Sequence, residues 1–301
     1  MRFLVTGGAG FIGCNAAKRF MDQGHEVVVF DNLSRKGASV NLAWLRAQGK
    51  LKFVKGDIRD PRQIARAFPK GKSYDVVLHL AAQVAVTTSV ANPREDFEVN
   101  ALGTFNLLEA IRASKTNPIV IYSSTNKVYG GMEKVEVVER NNRYRYKDFD
   151  QGIPESIQLD FHSPYGCSKG AADQYVRDYS RIYGMRTVVM RQSCIYGYRQ
   201  FGVEDQGWVA WFIIAAQLGK PITIYGDGKQ VRDILFIEDL IDAFDLAIKK
   251  IAKVSGRVFN IGGGPKNQMS LLELLGMIEK LAGKAPEFTF SDWRPGDQRV
   301  Y

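Results

Sequence analysis

The sequence has few of the residues that bind transition metals or form disulfides. Among 301 residues there are three cysteines and three histidines. Cys14, Cys167 and Cys194 have neither the spacing of zinc ligands nor the even number that a disulfide framework needs. We therefore expect no metal site and no structural disulfide.

Long apolar runs are also missing. No run approaches the ~20 residues that a membrane-spanning helix needs. The N-terminal residues lack the pattern of a signal peptide, and Arg2–Thr6 already has the alternation of a strand. We expect a cytoplasmic protein that does not act in a membrane.

Clustered charge of one sign is absent as well. The formal net charge is +9, from 41 basic and 32 acidic side chains, but the basic residues are spread along the chain. Such a spread is typical of a solvated surface and does not indicate a nucleic-acid-binding protein. Single arginines remain available for an anionic substrate.

What the sequence does contain is an alternation of strand-like and helix-like segments through residue 190. This pattern predicts an α/β protein with a doubly wound parallel sheet. The length and a hydrophobic content of 45% are sufficient for a large core.

A glycine-rich loop follows the first predicted strand, which ends at Thr6. Gly8, Gly10 and Gly13 have G-x-G-x-x-G spacing, and Gly7 offers an alternative start. Glycines there permit a tight turn and close approach of the backbone to a pyrophosphate, which the N-terminus of the next helix attracts. The context of strand, loop and helix predicts a dinucleotide site.

The second predicted strand, Glu26–Phe30, ends at Asp31. This residue lies about 20 positions past the glycine loop, where an acidic side chain binds the ribose hydroxyls of adenosine. Its charge would repel a 2′-phosphate, so we expect NAD rather than NADP. Arg35 would partly offset that repulsion.

Two further strands point to the same edge of the sheet. Val76–Ala82 is an apolar run typical of a central parallel strand. We interpret His79 within it as a core histidine rather than a catalytic one. Pro118–Tyr122 is the next strand and delivers Ser123–Thr125 at its carboxyl end, where open α/β sheets bind their ligands.

Tyr165 and Lys169 are four residues apart in a helical segment, so they share one face. An ammonium beside a phenol lowers the pKa of the phenol. A tyrosine of this kind can exchange a proton with a substrate hydroxyl near neutral pH.

In this order, the motifs resemble the extended short-chain dehydrogenase/reductase family of nucleotide-sugar epimerases and dehydratases, over essentially the whole chain. The resemblance implies that Thr125 is the catalytic Ser/Thr, Tyr165 the base, and Lys169 the activator of the tyrosine. It implies NAD contacts at Gly7, Gly10, Phe11, Ile12, Gly13, Asp31, Asn32, Asp57, Ile58, Leu80, Ala81, Ala82, Asn100, Ser123, Ser124, Tyr165 and Lys169. It implies contacts to a nucleotide-sugar substrate at Asn126, Gln192, Ser193, Arg199, Arg232 and Arg294.

Asn126 and Lys127 limit which of the family's reactions we expect. Sugar 4,6-dehydratases have an Asp-Glu pair at these places. Elimination of water needs a general acid and a general base, and an amide and an ammonium are poor replacements. Two segments, 162–175 and 199–212, resemble the subgroup that epimerises a CDP-linked deoxysugar at C2. The alternatives are a UDP-sugar 4-epimerase with the same catalytic residues and a non-catalytic NAD-binding regulator.

The resemblance also implies an arrangement of domains and subunits. We expect an NAD-binding domain at 1–190 and a substrate-binding lobe over most of 191–301, with about 230–262 returning to the main domain. Residues 131–162 are polar and predict a long surface excursion. A homodimer or homotetramer would use the helical segments Asn100–Ala113 and Pro164–Tyr183.

Overall fold

The chain builds its core around a parallel sheet, as seen in a computed structural model that describes residues 1–294 and 297–301. Pro295 and Gly296, which follow the candidate Arg294, lie outside the described residues. The elements of the first half are β1 (Arg2–Thr6), α1 (Phe11–Asp22), β2 (Glu26–Asp31), α2 (Ala38–Gln48), β3 (Lys52–Lys55), α3 (Pro61–Ala65), β4 (Val76–His79), α4 (Val86–Ala91), α5 (Pro93–Phe97), α6 (Gly103–Ala113) and β5 (Ile119–Thr125).

Short connecting helices flank two of these elements. A π-helical turn, Glu98–Leu102, joins α5 to α6, and a 3-10 turn, Asn126–Tyr129, follows β5. The elements of the second half are β6 (Val137–Arg140), β7 (Arg143–Tyr146), α7 (Ser163–Tyr183), β8 (Arg186–Gln192), β9 (Cys194–Tyr196), α8 (Trp208–Gln217), β10 (Ile222–Tyr225), β11 (Val231–Phe236), α9 (Ile237–Lys249), α10 (Ile251–Val254), β12 (Val258–Ile261), β13 (Gln268–Ser270), α11 (Leu271–Ala282) and β14 (Phe288–Ser291).

The main sheet has seven strands in the order β12-β8-β5-β4-β1-β2-β3, and every neighbouring pair is parallel. The strand order reverses between β1 and β4, so the loops after these strands diverge and leave a crevice at the carboxyl edge. The predicted doubly wound parallel sheet is confirmed. Its topology brings the glycine loop, the end of β5 and the end of β8 to one edge.

Helices cover both faces of this sheet. Leu4 and Val5 are neighbours in β1, point to opposite faces because strand side chains alternate, and are both fully buried. Val5 packs in a cluster with Phe244 of α9, and Leu4 packs in a second cluster with Val176 of α7. Burial on both faces explains why the strands are continuous apolar runs.

A smaller region packs at the carboxyl edge of the main sheet. It contains the three-stranded sheet β13-β11-β9 and the parallel pair β10-β14, with α8 and α11 over a separate apolar cluster. The chain then returns, because β12 pairs with β8 and α9 packs on the main core. The predicted domain boundary at residue 190 stays a prediction.

The structure corrects the prediction of a plain excursion at 131–162. This segment contains the antiparallel hairpin β6–β7, which pairs Val137 with Tyr146. Asn141 and Asn142 form its turn, both with positive φ, as a two-residue hairpin turn requires. The Tyr146 hydroxyl donates to the Val300 carbonyl at 2.7 Å and so attaches the hairpin to the C-terminal residues.

No helix among the described residues is both long enough and apolar enough to cross a membrane. The strand predicted at Val76–Ala82 ends at His79, which leaves the three following residues as loop at the crevice.

His79 is a buried core residue, as expected. The Thr104 hydroxyl donates to the Asn100 carbonyl at 2.6 Å, so it accepts from His79 Nε2 at 2.9 Å. His79 Nδ1 therefore accepts from the Thr6 hydroxyl at 2.8 Å. Burial, together with the nearby Lys169 charge, lowers the pKa of His79 to about 3. The imidazole is neutral and structural.

This pKa predicts a stability loss in mild acid. The unfolded chain binds a proton at His79 below pH 6.5, whereas the folded chain does not until about pH 3. The free energy of unfolding should therefore fall between these values, by about 2 kcal/mol at pH 5 from this group. Urea unfolding at pH 7.5 and pH 5.0 measures it. His79→Gln should remove this part of the pH dependence, and an unchanged dependence in the variant would contradict the assignment.

Candidate active site

A cavity of about 580 Å³ opens at the carboxyl edge of the main sheet and extends under the smaller region. Loops after β1, β4, β5 and β8 form one part of its wall, and β10, β11 and the segment before α8 form the other. The predicted site residues that line it are Phe11, Ile12, Leu80, Ala82, Ser123, Ser124, Thr125, Asn126, Tyr165, Lys169, Gln192, Ser193, Arg232 and Arg294. Those outside its lining are Gly7, Gly10, Gly13, Asp31, Asn32, Asp57, Ile58, Ala81, Asn100 and Arg199.

The glycine loop has the geometry of a phosphate cradle. Gly7 has φ of 67°, and a Cβ there would lie 2.6 Å from the Ala81 amide nitrogen. A Cβ on Gly13 would overlap the Gly7 carbonyl. Helix α1 begins after Gly10 with no side chain capping it, so its first amides face the crevice as an anion site. The loop fits the pyrophosphate of a dinucleotide.

Polar groups gather at the carboxyl ends of β2 and β3. Asp31 accepts from the backbone amides of Ala9 at 3.0 Å and Leu33 at 2.7 Å, and burial raises its pKa. Asn32 donates to Asp57 at 3.0 Å. Each Asp31 oxygen still has acceptor capacity, so this group fits the hydroxyls of an adenosine ribose.

Ile58 is buried beside this group and packs against α6. A Cβ on Gly103 would lie 2.6 Å from its side chain. Ile58 thus forms the apolar floor next to Asp57.

Three predicted catalytic side chains share one wall of the cavity. Thr125 ends β5, while Tyr165 and Lys169 lie one turn apart in α7. The Lys169 ammonium donates to the Ser123 carbonyl at 2.6 Å and lies 4.4 Å from the centre of the Tyr122 ring. A hydroxyl group entering here would meet the phenol and the threonine together.

The electrostatics differ from the prediction. Burial raises the pKa of Tyr165 to about 12, and burial lowers the pKa of Lys169 to about 7. In the protein alone the pKa of Tyr165 therefore lies above its ordinary value, because desolvation outweighs the interactions that favour the phenolate. Tyr165 keeps its proton at neutral pH, and a ligand that adds positive charge beside it would lower this pKa.

A buried ion pair behind this wall was missed by the sequence reasoning. Arg191 in β8 donates from two nitrogens to Asp173 in α7, both at 2.9 Å, and the two side chains are 2% and 0% exposed. The Ser124 hydroxyl also donates to Asp173, at 2.7 Å. Asp173 lies one turn beyond Lys169 on the same face of α7, and this spacing is the signal that could have identified it.

Asn100 has a supporting position in the structure. It is 1% exposed, and its amide donates to the Gln83 carbonyl, to Asp96 and to the Ser168 hydroxyl, each at 3.1 Å. These contacts hold α7 against the loop that follows β4. Asn100 lies behind the cavity wall, so the predicted cofactor contact would act through that loop.

The predicted phosphate-binding arginines line the far part of the cavity, and each pairs with a carboxylate. Arg232 contacts Asp297 at 2.6 Å, and Arg294 contacts Asp205 at 3.2 Å. Arg294 also lies 3.7 Å from the centre of the Tyr225 ring. The carboxylates hold the guanidinium groups in place, and an incoming diphosphate would compete with them.

Three smaller polar residues complete the substrate side. Asn126 donates to Gln298 at 3.3 Å, and Ser193 donates to a backbone carbonyl at 3.3 Å. Gln192 accepts from Ser123 at 3.0 Å, and its buried amide nitrogen has no partner among the described residues. This donor is available to a ligand.

Arg199 does not reach the cavity. Its backbone has φ of 66°, and its guanidinium lies 4.7 Å from the Trp44 ring and donates to Asn41 at 3.2 Å. Helix α2 therefore holds this residue outside the lining of the cavity, and its predicted contact to the substrate stays a prediction.

The fold and the site together define a class of protein. A glycine cradle on a doubly wound sheet, with a buried Tyr–Lys pair at a large cavity, is the arrangement of a dinucleotide-dependent enzyme. Residues 3–262 match the sequence model of a family described as the NAD dependent epimerase/dehydratase family, and the chain belongs to this family.

Individual epimerases are similar to this chain in sequence and in structure. The chain is 51% identical to the CDP-paratose 2-epimerase of Salmonella typhi, over 100% of this chain and 90% of that protein. The UDP-glucose 4-epimerase of Thermotoga maritima with UDP-glucose has a TM-score of 0.84 and 32% identity, covering 100% and 88% of the two chains. The UDP-glucose 4-epimerase of Thermus thermophilus in complex with NAD has a TM-score of 0.81 and 33% identity, covering 100% and 89%.

These comparisons confirm the predicted family, the enzyme class of NAD-dependent epimerases and the cofactor NAD. They also confirm the resemblance to the C2-epimerase subgroup and support a nucleotide sugar as substrate.

The buried pair predicts a large effect of removing its acid. Asp173→Ala leaves the Arg191 charge buried and unpaired, so the free energy of unfolding should fall by about 3–5 kcal/mol. Asp178→Ala is the matched control, because Asp178 lies on the same helix with an exposed side chain and should change stability by less than about 0.5 kcal/mol. Urea denaturation compares them, and equal effects would refute the structural role of the pair.

Proposed function

We propose that the protein is an NAD-dependent nucleotide-sugar epimerase that converts CDP-paratose to CDP-tyvelose at C2 through a transient keto-sugar. The single observation that carries the epimerase chemistry is the meeting of Thr125, Tyr165 and Lys169 on one cavity wall. The identity with a CDP-paratose 2-epimerase over the whole chain supports the choice of sugar and carbon.

Tyr165 would act as the base that takes the proton of the C2 hydroxyl and later returns it. Thr125, which lines the same cavity, would hold that hydroxyl in place by hydrogen bonding. NAD, when bound, supplies the hydride acceptor that oxidises C2 and the donor that reduces it again. Loss of the hydroxyl proton and of the C2 hydride would give a planar ketone. Return of the hydride to the opposite face of the carbon, and of the proton to the oxygen, would invert C2 with no net oxidation.

Lys169 would stabilise the Tyr165 phenolate and bind the nicotinamide ribose. Its fixed position against the Ser123 carbonyl keeps the ammonium beside the reacting groups. The glycine loop, Asp31 and Asn32 would hold the pyrophosphate and the adenosine ribose, as their geometry permits.

Arg232 and Arg294 would bind the diphosphate after exchanging their carboxylate partners for phosphate oxygens. A guanidinium suits phosphate because its donors are paired and its charge is permanent. Tight binding of the diphosphate would let the keto-sugar rotate and present its other face without leaving the cavity. We propose that residues 191–301 form most of this substrate lobe.

The alternative is a UDP-sugar 4-epimerase. It is favoured by the structural similarity to UDP-glucose 4-epimerases and by catalytic residues that do not themselves select a carbon. A dehydratase is disfavoured, because Asn126 and Lys127 line the cavity in place of an acid–base pair. A non-catalytic regulator is disfavoured by the presence of both Tyr165 and Lys169.

The substrate assay separates these alternatives. The protein is incubated with CDP-paratose and, separately, with UDP-glucose, and the products are resolved by NMR. We expect CDP-tyvelose from the first and no reaction of the second. Turnover of UDP-glucose alone would assign the 4-epimerase.

Tyr165→Phe tests the base within the same assay. The variant should retain its fold and its NAD, measured by circular dichroism and by absorbance after release of the cofactor. Its rate should fall by about 10²–10⁴-fold, because general base catalysis is removed. A rate equal to that of the parent would exclude Tyr165 as the base.

We also propose a homodimer or homotetramer that pairs through α6 and α7. Phe105, Tyr175 and Ile182 on these helices are 37%, 49% and 66% exposed, and an apolar patch of this kind is typical of an interface. The cytoplasmic location stays a prediction.

The double variant Tyr175→Glu/Ile182→Glu should therefore be monomeric in light scattering coupled to gel filtration, since charge is disfavoured in an interface core. Leu218→Glu, at an exposed apolar residue outside these helices, should leave the oligomer unchanged. A parent that is already monomeric would contradict the proposal.

A further inference from the structure

We propose that Glu204 selects the nucleobase of the substrate by accepting a hydrogen bond from the exocyclic amine of cytosine. This contact would favour CDP-linked sugars over UDP-linked ones. The inference rests on the proposed function, because it requires a nucleotide sugar in the cavity.

The cavity itself orients such a substrate. The reacting carbon must lie beside Thr125 and Tyr165, and the cations for a diphosphate are Arg232 and Arg294. In a nucleotide sugar the diphosphate separates the sugar from the nucleoside. The base therefore lies beyond the arginines, at the part of the cavity lined by Glu204, Asp205, Thr223, Tyr225 and Gln230.

A tight turn presents Glu204 to this part of the cavity. Val203 and Gln206 exchange two backbone hydrogen bonds of 3.0 and 2.9 Å, which place Glu204 and Asp205 at the tip of the turn. The Tyr225 hydroxyl donates to Glu204 Oε1 at 2.9 Å and so orients the carboxylate. A carboxylate has about four acceptor positions, so Glu204 keeps the capacity to accept from a ligand.

Asp205, the neighbouring carboxylate of the turn, contacts an arginine. Asp205 pairs with Arg294 at 3.2 Å, and Arg294 also donates to the Glu204 carbonyl at 3.4 Å. These contacts couple Asp205 to the arginine expected to bind phosphate. Glu204 is thus the carboxylate of the turn that is directed to the base.

Gln230 shows independently that this part of the cavity offers acceptors. It is 2% exposed, and its amide nitrogen donates to the Tyr225 carbonyl at 2.6 Å. That bond fixes the orientation of the amide. Its oxygen is buried without a partner among the described residues, so a ligand that fits here must bring a donor.

The bases differ at the relevant position. Cytosine carries an amine at C4, a donor, where uracil and thymine carry a carbonyl oxygen, an acceptor. A carboxylate accepts from the amine and repels the carbonyl. An acceptor-rich subsite around Tyr225 therefore discriminates in favour of cytosine.

The experiment measures binding of CDP and UDP to the NAD-loaded protein by isothermal titration calorimetry. The parent should bind CDP about tenfold more tightly than UDP or better, as one good base contact provides. Glu204→Gln keeps the size of the side chain and adds a donor. Its preference should fall to about threefold or less, with weaker CDP binding and tighter UDP binding.

Two control variants separate the base contact from other effects. Asp205→Asn should change both affinities in the same direction and keep their ratio, because it acts through Arg294. Glu136→Gln, in the exposed pair with Lys147, should change neither. Thermal melts confirm that each variant folds.

A parent without preference, or a Glu204→Gln variant that keeps the tenfold preference, would overturn the inference. Failure of the proposed function has a different signature. Suppose that the parent prefers CDP and that Glu204→Gln loses this preference, but the parent does not epimerise CDP-paratose. These results would support the base contact and refute the proposed reaction.

Discussion

The ion pair between Asp173 and Arg191 holds together the elements that carry the candidate site. It joins α7 to β8, and through the Ser124 hydroxyl it also reaches β5. Arg191 extends the connection by donating to the Tyr129 hydroxyl at 2.8 Å. A buried pair of this kind is weak evidence for net stability but fixes geometry, because any displacement would leave a charge without its partner. The ion pair thereby fixes β5 and α7, the elements that bring Thr125 and Tyr165 to the cavity.

Burial shifts the pKa values of Tyr165 and Lys169, the two groups proposed to take part in proton transfer, in opposite directions. It raises the pKa of Tyr165 and lowers the pKa of Lys169, so both groups are held toward their neutral forms in the protein alone. The low dielectric that causes these shifts also strengthens any charge that a ligand brings. The protonation of Tyr165 and Lys169 therefore depends on whether ligands occupy the site. Proton transfer before the ligands bind is disfavoured.

Much of the fold and part of the site could be predicted from the sequence, because those features are local. The spacing of Gly7, Gly10 and Gly13, the position of Asp31 and the four-residue interval from Tyr165 to Lys169 are set within single strands, loops or helices. The family resemblance supplied Thr125 and the two arginines of the substrate side. The structure places all of these where such spacing requires, although their roles remain proposals.

What could not be predicted depends on tertiary contacts. The pKa of Tyr165 is set by burial, which residue spacing does not report. The position of Arg199 depends on a left-handed backbone and on Trp44, which is distant in sequence. The four-residue spacing of Asp173 from Lys169 indicates a shared helix face, but its partner Arg191 lies in a strand, β8. The β6–β7 hairpin was missed although Asn141 and Asn142 are residues that favour such turns.

The proposed reaction moves a hydride from one sugar carbon and back to it, while the proton of the hydroxyl on that carbon moves to Tyr165 and back. The most direct test uses CDP-paratose with deuterium at C2, converted in ordinary water and analysed by mass spectrometry. We expect CDP-tyvelose to retain the deuterium, because the hydride is held within the protein and does not exchange with solvent. Loss of the label to water would rule out hydride transfer, since it would indicate deprotonation of the carbon.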